Sequence, residues 1–490
     1  MNSVIGYSKS EGRATDQLDP KRNILIIGGG PSGLTAAYQC GKKNMNAVCL
    51  EADSILGGIS RTVEYKGFRF DVGGHRFFSK IPAVNDLWYE ILGDDFLTRP
   101  RLSRIYYNGY FFHYPLQPKN ALSGLGPARS VMIVLSYLKA KIFPQRPEDT
   151  FEKWVSNRFG KYLYTIFFKT YTEKVWGIPC DQIGAEWAVQ RIKGLSLWSA
   201  IVNSLFKPKK VIKSLINEFQ YPRFGPGQMY ETMGKKAEAL GSVILLNHRV
   251  EKIHHDGSSV TGVTVYDSVR GERKHLSGSD VISSMSLTEL VLNLDPPAPE
   301  DVQTSARSLR FRGLLTVNLL IDHPQELPDT WIYIHDSYVQ AGRVQFFANW
   351  SPYMVPDKNK SSVGLEFFCW EDDRLWNMPD EDIIGLAKDE IAKLELVDRN
   401  KVTDAFVIRM PKSYPLYNGE YKKHVAMLKN YLEKFINLQL CGRYGLFKYN
   451  NMDHSILTAM YAVENLRGAN HDVWSVNADD DYHEETDRAS

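Results

Sequence analysis

A short apolar run ending at Ile27 gives way directly to Gly28-Gly29-Gly30-Pro31-Ser32-Gly33, and that in turn to the helical pattern LTAAYQCGKK. Glycines at this spacing, after a strand and before a helix, restrict the fold more tightly than any other stretch of the chain. Gly28 permits the tight turn, Gly30 lets backbone approach a pyrophosphate, and Gly33 lets helix and strand pack closely. Pro31 and Ser32 then open a helix whose N-terminus faces the phosphates. Asn46 to Glu51 reads as a second strand, which closes a βαβ unit of about 30 residues. Glu51 ends that strand, where a carboxylate can accept the hydroxyls of a ribose. These residues predict a bound dinucleotide.

With 490 residues the chain is too long for one hydrophobic core, so two or three units are expected. Its 59 basic and 57 acidic residues and 43% apolar content describe an ordinary globular protein, and nucleic acid is not its expected partner. Cys40, Cys49, Cys180, Cys369 and Cys441 show no C-x-x-C spacing, which argues for reduced thiols and against a disulfide framework or a metal site. Residues 1–22 lack the apolar core of a signal peptide, and no long uncharged apolar run follows, so the expected location is cytoplasmic with no transmembrane segment. Val131 to Leu138 is the most apolar stretch and reads as buried packing, with a helix lying against a bilayer as the alternative.

The pattern predicts an α/β protein: a discontinuous Rossmann-type domain, a helical insert, and a second mixed or antiparallel sheet that carries the substrate. Residues 1–22 and 481–490 read as tails. The cofactor domain is expected over 23–117, 220–300 and 436–480, the mainly helical insert over 118–219, and the substrate domain over 301–435. VILLNHRVEKI, SVTGVTVYD and DVISSM read as strands near the cofactor; LLTVNLLID, TWIYIH, VQFFANW and VGLEFFCW read as the second sheet. Helical periods cover Asp380 to Leu396, Tyr421 to Phe435 and Met452 to Leu466.

Downstream of Glu51, Gly57-Gly58-Ile59-Ser60-Arg61-Thr62 adds a second glycine turn and an arginine that can continue along the same phosphates. Together with Phe70-Asp71-Val72-Gly73-Gly74-His75 it resembles the flavin family of amine oxidases, protoporphyrinogen oxidase, phytoene desaturases and UDP-galactopyranose mutase. The resemblance implies FAD as the cofactor, with Gly73 and Gly74 beside its isoalloxazine ring and His75 as a flavin-site residue. Within that family, five stretches in order look like UDP-galactopyranose mutase: Gly74 to Phe78, IYYNGYFFHYP from Ile105, YTEKVWG from Tyr171 to Gly177, Tyr414-Pro415-Leu416, and Gly442-Arg443 with Lys448 to Met452. YPRFGPGQM, from Tyr221, is similar to the glycine-rich strand entry of both branches.

By that likeness the cofactor would be held by Gly28, Gly30, Pro31, Ser32, Gly33, Glu51, Gly57, Gly58, Ser60, Arg61, Gly73, Gly74, His75, Val250, Gly442, Arg443, Asn451 and Met452. The substrate would meet Tyr171, Trp176, Arg191, Arg312, Arg343, Tyr414 and Tyr449, with Arg191 and Arg312 as candidates to grip a diphosphate. Two departures bear on the substrate: Asn451 stands where the mutase has aspartate, and Gly342-Arg343-Val344-Gln345-Phe346 lacks a phosphate-binding tyrosine. The implied activity is isomerisation of a nucleotide- or phosphate-activated sugar by reduced flavin, for cell-surface glycan synthesis, with no net redox change. NAD(P)H stays open as reductant and a homo-oligomer as the assembly. The alternative is an oxidoreductase of amine oxidase or protoporphyrinogen oxidase type. No catalytic side chain beyond the flavin is called for, no metal is implied, and Glu173 with Lys174 reads as a structural ion pair.

Overall fold

A computed structural model describes residues 23–114, 116–185 and 218–477. The chain divides into two compact units, each assembled from separated segments. The first comprises the described residues up to Gly58 together with Tyr230–Arg307 and Val425–Asn477. The second comprises the described residues of Ile59–Met229 together with Ser308–His424.

At the centre of the first unit lies a five-stranded parallel sheet in the order Leu438–Leu440, Asp280–Ser283, Ile24–Ile27, Ala47–Leu50, Val243–Leu245. Its strands are short and apolar on both faces, as a sheet covered on both sides requires. The helices Pro31–Lys42 and Met452–Asn465 pack together, burying Leu34, Ala36, Ala37 and Cys40 from the first and Ile456, Ala459, Ala462 and Val463 from the second. A smaller sheet pairs His248–His255, Val260–Asp267 and Glu272–Ser277 antiparallel.

VILLNHRVEKI is therefore two strands and not one: Val243–Leu245 extends the parallel sheet, whereas His248–His255 belongs to the smaller sheet. Asn247 causes the break. It adopts a left-handed φ of 61°, a conformation that asparagine tolerates better than branched residues.

The second unit is built on a seven-stranded mixed sheet in the order Val402–Pro415, Phe311–Ile321, Ser361–Cys369, Arg343–Phe346, Trp331–Ile334, Ser103–Tyr107, Tyr110–His113. Strand alternation gives it two unlike faces. One face carries Leu315, Val317, Leu319, Ile332, Ile334, Val344, Phe346, Val363, Leu365 and Phe367, packed on Ile383, Ala387 and Ile391 of the helix Asp380–Lys393. The other carries a cross-strand row, Tyr333, Arg343, Glu366 and Thr316, in direct register.

Further expectations need correction. The first part of the cofactor unit ends at Gly58 and not at 117, because Ser103–Tyr107 and Tyr110–His113 pair into the other unit's sheet. Glu218–Pro222, read as the end of the helical insert, is a strand paired with Phe96–Pro100. The helical reading does describe 118–142 and 151–176, apart from breaks at Gly126 and Gly160. Helix expectations at 380, 421 and 452 correspond to Asp380–Lys393, Tyr421–Leu432 and Met452–Asn465. VQFFANW is strand only to Phe346 and then turns into the short helix Phe347–Trp350. Val131 to Leu138 is helical as expected but largely exposed, with only Ile133 and Tyr137 buried.

Candidate functional site

The glycine turn of the first unit is shaped by contacts that exclude side chains. A Cβ on Gly33 would fall 1.7 Å from the Gly28 carbonyl oxygen, so strand and helix could not meet. Gly28 takes a φ of 102° and its amide donates to Leu50 O at 2.8 Å, which ties the turn to the second strand. Gly57 donates to Gly29 O at 2.9 Å, and a Cβ on Gly58 would lie 3.2 Å from the Gly30 Cα. Two glycine loops thus approach each other without side chains. Gly30 N-caps the 12-residue helix Pro31–Lys42 with no side-chain cap, so the first-turn amides are left for an anion. Ser32 lies against Gly442, whose Cβ would be 2.4 Å from the serine hydroxyl and whose φ is 82°.

Glu51 is buried and bonded to the turn itself. Its Oε2 accepts from Gly29 N at 2.6 Å and its Oε1 from Asp53 N at 2.9 Å. Arg443 lies over the Tyr449 ring at 4.0 Å and donates to Asn450 O at 3.2 Å. Asn451 caps the helix Met452–Asn465 in a reciprocal capping box with His454, and Met452 is buried in its first turn. Val250 is a buried residue of the smaller sheet, paired with Val265. The paired glycine loops and the uncapped helix N-terminus fit the pyrophosphate of FAD.

The second unit contains the rest of the expected residues that the structure describes. Ser60 and Arg61 are buried, and the His75 ring lies 3.2 Å from Gly73 O through Nδ1. A Cβ on Gly74 would meet Gln345 Nε2 at 3.0 Å, and one on Gly73 would approach Arg343. These glycines therefore run against the polar face of the sheet. There Arg343 donates to Glu366 Oε2 through Nε at 2.9 Å and Nη2 at 2.5 Å, while Gln345 Nε2 donates to Oε1 at 2.6 Å. Burial disfavours the charge on Arg343, but Glu366 outweighs it and holds the guanidinium above its ordinary pKa.

YTEKVWG forms the helix Thr170–Trp176, ended by Gly177 in the left-handed conformation. Tyr171 stacks on His335 with ring centroids 5.1 Å apart and meets Tyr333 edge-on at 5.3 Å. Burial, and then Lys174, push His335 down to about 3, so this imidazole is neutral. Arg76 and Arg101 lie over the Trp331 ring at 5.8 and 5.6 Å, and Arg101 also over Tyr114 at 5.6 Å. Tyr414 is buried edge-on to Phe368, and Trp176 is buried as well.

Glu173 and Lys174 do not form the expected pair. Lys174 is directed inward, where its Nζ donates to Ile334 O at 3.2 Å, Asp336 O at 2.7 Å and Ala341 O at 3.0 Å, whereas Glu173 accepts from Cys180 N at 3.2 Å. Burial lowers Lys174 to about 8. Arg312, expected at a diphosphate, spends its donors within the unit: on Val175 O and Lys174 O at 3.3 Å each, on Phe368 O, and on Asp373 Oδ2 at 3.4 Å. It caps the carbonyl end of the YTEKVWG helix. Arg191 lies outside the described residues.

Sequence reading missed Glu366, Gln345 and His335. A single carboxylate inside the otherwise uncharged strand SSVGLEFFC was the available signal for Glu366, since a buried charge demands a partner. It also missed Asp71, two residues before Gly73. Its carboxyl is buried, bonds the Tyr221 hydroxyl and accepts from Thr62 Oγ1 at 2.8 Å. Burial pushes it up to about 7, against the effect of both bonds. A raised carboxyl contributes stability that is fully present below its ordinary value of 3.8 and is lost as pH climbs through about 7. The loss amounts to roughly 4 kcal/mol at about 1.36 kcal/mol per pKa unit. Asp71→Asn should therefore gain on the wild type in thermal melts as pH rises across that window. A constant gap between the two would refute it.

A family model described as flavin containing amine oxidoreductase matches residues 31–466. A 1-hydroxycarotenoid 3,4-desaturase of Flavobacterium sp. (strain P99-3) is 24% identical over 323 residues, covering 59% of this chain and 62% of the desaturase. The chain thus spans less than two thirds of that relative. Protoporphyrinogen oxidase 2 of Arabidopsis thaliana is 33% identical over 66 residues, 14% of this chain and 13% of that protein. Among solved structures, a reduced UDP-galactopyranose mutase superposes with a TM-score of 0.79 at 19% identity, over 94% of this chain and 99% of the mutase. A putative protoporphyrinogen oxidase from Exiguobacterium sp. 255-15 gives 0.68 at 18% identity, over 91% and 98%. At these identities the likeness is one of fold.

Proposed function

Because the chain belongs to the flavin-containing amine oxidoreductase family and is an FAD-dependent flavoenzyme, we propose that it acts on an anionic, phosphate-activated sugar in the manner of a sugar mutase. The observation that carries this reading is the charge and shape of the polar sheet face. Arg76, Arg101 and Arg343 stand there among Tyr114, Tyr171, Trp331, Tyr333 and the neutral His335, with Glu366 as the carboxylate paired to Arg343. Guanidinium groups suit phosphate oxygens, and aromatic faces suit a sugar ring or a base. A cationic amine substrate would meet like charge.

FAD supplies two-electron chemistry and, when reduced, an electron-rich ring nitrogen. The chain's own residues orient the sugar against aromatic faces, neutralise the leaving phosphate and keep water out. Gly73 and Gly74 keep the approach to the polar row free of side chains.

An oxidoreductase of the amine oxidase or protoporphyrinogen oxidase type is the second reading, favoured by the desaturase and oxidase relatives. The two part on one experiment. The FAD-loaded protein, reduced anaerobically by dithionite or NAD(P)H, should convert a UDP- or TDP-sugar to a furanose and be inert while oxidised. Oxygen uptake with a porphyrinogen or an amine, without any isomerisation, would overturn the mutase reading.

A further inference from the structure

The Pro118–Ile142 segment is broken at Gly126, whose φ is 79°, and a helix restarts at Pro127. Its inner face is fixed to the second unit. Ile133 and Tyr137 are buried, Tyr162 N donates to Ser136 Oγ at 2.9 Å, and a Cβ on Gly160 would lie 2.7 Å from Tyr137 N.

The outer face is apolar where water would normally select polar residues. Val131, Met132, Val134, Leu135, Leu138 and Ile142 are all exposed, Val131 and Leu135 by 57% and 56% and Ile142 by 68%, and Phe143 follows at 72%. At 3.6 residues per turn, Val131, Leu135, Leu138 and Ile142 fall within an arc of about 60°. Lys139 and Lys141 stand about 80° to either side of it. No ion pair holds either lysine among the described residues.

Charge along the sequence points the same way. No acidic residue occurs between Asp95 and Glu148, while Lys119, Arg129, Lys139, Lys141 and Arg146 fall on or beside this helix. The acids that follow are engaged elsewhere: Glu148 with Arg158, Asp149 with Lys153, and Glu152 with Lys161. Among the described residues no helix is long and apolar enough to cross a membrane.

We propose that residues 127–142 lie in the plane of an anionic lipid surface, with the Val131–Leu135–Leu138–Ile142 stripe sunk into the acyl boundary and the flanking lysines at the headgroups. A second copy of the chain is a poorer occupant. Packing two such stripes together would bring four lysines into proximity with no acid between them. The proposal is independent of the substrate reading.

The test uses the full-length flavoprotein in vesicle flotation. Vesicles of phosphatidylcholine mixed with phosphatidylglycerol should bind it roughly tenfold more tightly than phosphatidylcholine alone, and added salt should erase that preference. Lys139→Glu with Lys141→Glu should reduce binding to the neutral-lipid level. Leu135→Asp with Leu138→Asp should abolish it on both, with flavin content and melting temperature unchanged, since both leucines are exposed. Failure of the wild type to float with anionic vesicles at low salt would overturn the proposal. So would a dimer in sedimentation velocity that Leu135→Asp with Leu138→Asp converts to monomer while vesicle binding persists.

Discussion

Gly30→Ala is expected to yield a folded, colourless protein. Its backbone, at φ −81° and ψ −172°, is open to alanine, and the new methyl would meet its nearest neighbour, the Gly58 Cα, at an ordinary 3.7 Å. The methyl nonetheless enters the gap between the two glycine loops, where phosphates must approach bare backbone. Gly33→Ala should fail differently. Its methyl would sit 1.7 Å from the Gly28 carbonyl oxygen, so strand and helix must separate, at a cost of about 4 kcal/mol or more. Visible spectra and melting curves of the two variants distinguish these outcomes. A yellow Gly30→Ala protein with normal flavin content would show that no phosphate passes through this gap.

Lys174→Met carries the other large effect. The replacement keeps the length of the side chain but strands the carbonyls of Ile334, Asp336 and Ala341, all of which the ammonium now bonds. Buried acceptors without donors cost about 1–3 kcal/mol each, so a loss of roughly 3–5 kcal/mol is expected after partial relaxation. The variant should melt well below the wild type. It should also bind an anionic substrate more weakly, because the helix that presents Tyr171 is no longer secured. Lys174→Met melting with the wild type would mean that those carbonyls find other partners.

The glycine turn was legible in the sequence because at Gly28 and Gly33 the backbone and its neighbours leave room for nothing else. The parallel sheet was legible for a related reason: strands covered on both faces are apolar throughout. Periodicity could not reveal the break at Asn247, which depends on one residue's φ. Nor could charge alone tell which arginine binds an outside anion. Arg312 is buried and Arg343 only partly so; the first bonds the carbonyls of Lys174 and Val175 and the second the carboxylate of Glu366 across the sheet, neighbours that sequence order does not place beside them. The 127–142 helix taught a similar lesson. Its apolar pattern was plain, but a pattern says which residues share a face and not whether anything covers it.

The order of the segments has a consequence for synthesis. The first unit begins with Ile24–Ile27, but its edge strand Leu438–Leu440, the Gly442 that closes against Ser32, and the helix Met452–Asn465 that packs on Pro31–Lys42 all come from the far end of the chain. On the ribosome the part of the N-terminal βαβ unit that Met452–Asn465 covers stays open until some 400 further residues have been translated. Cofactor loading is thus expected late in the life of the nascent chain, and truncation ahead of Met452 should leave the first unit incomplete and without flavin.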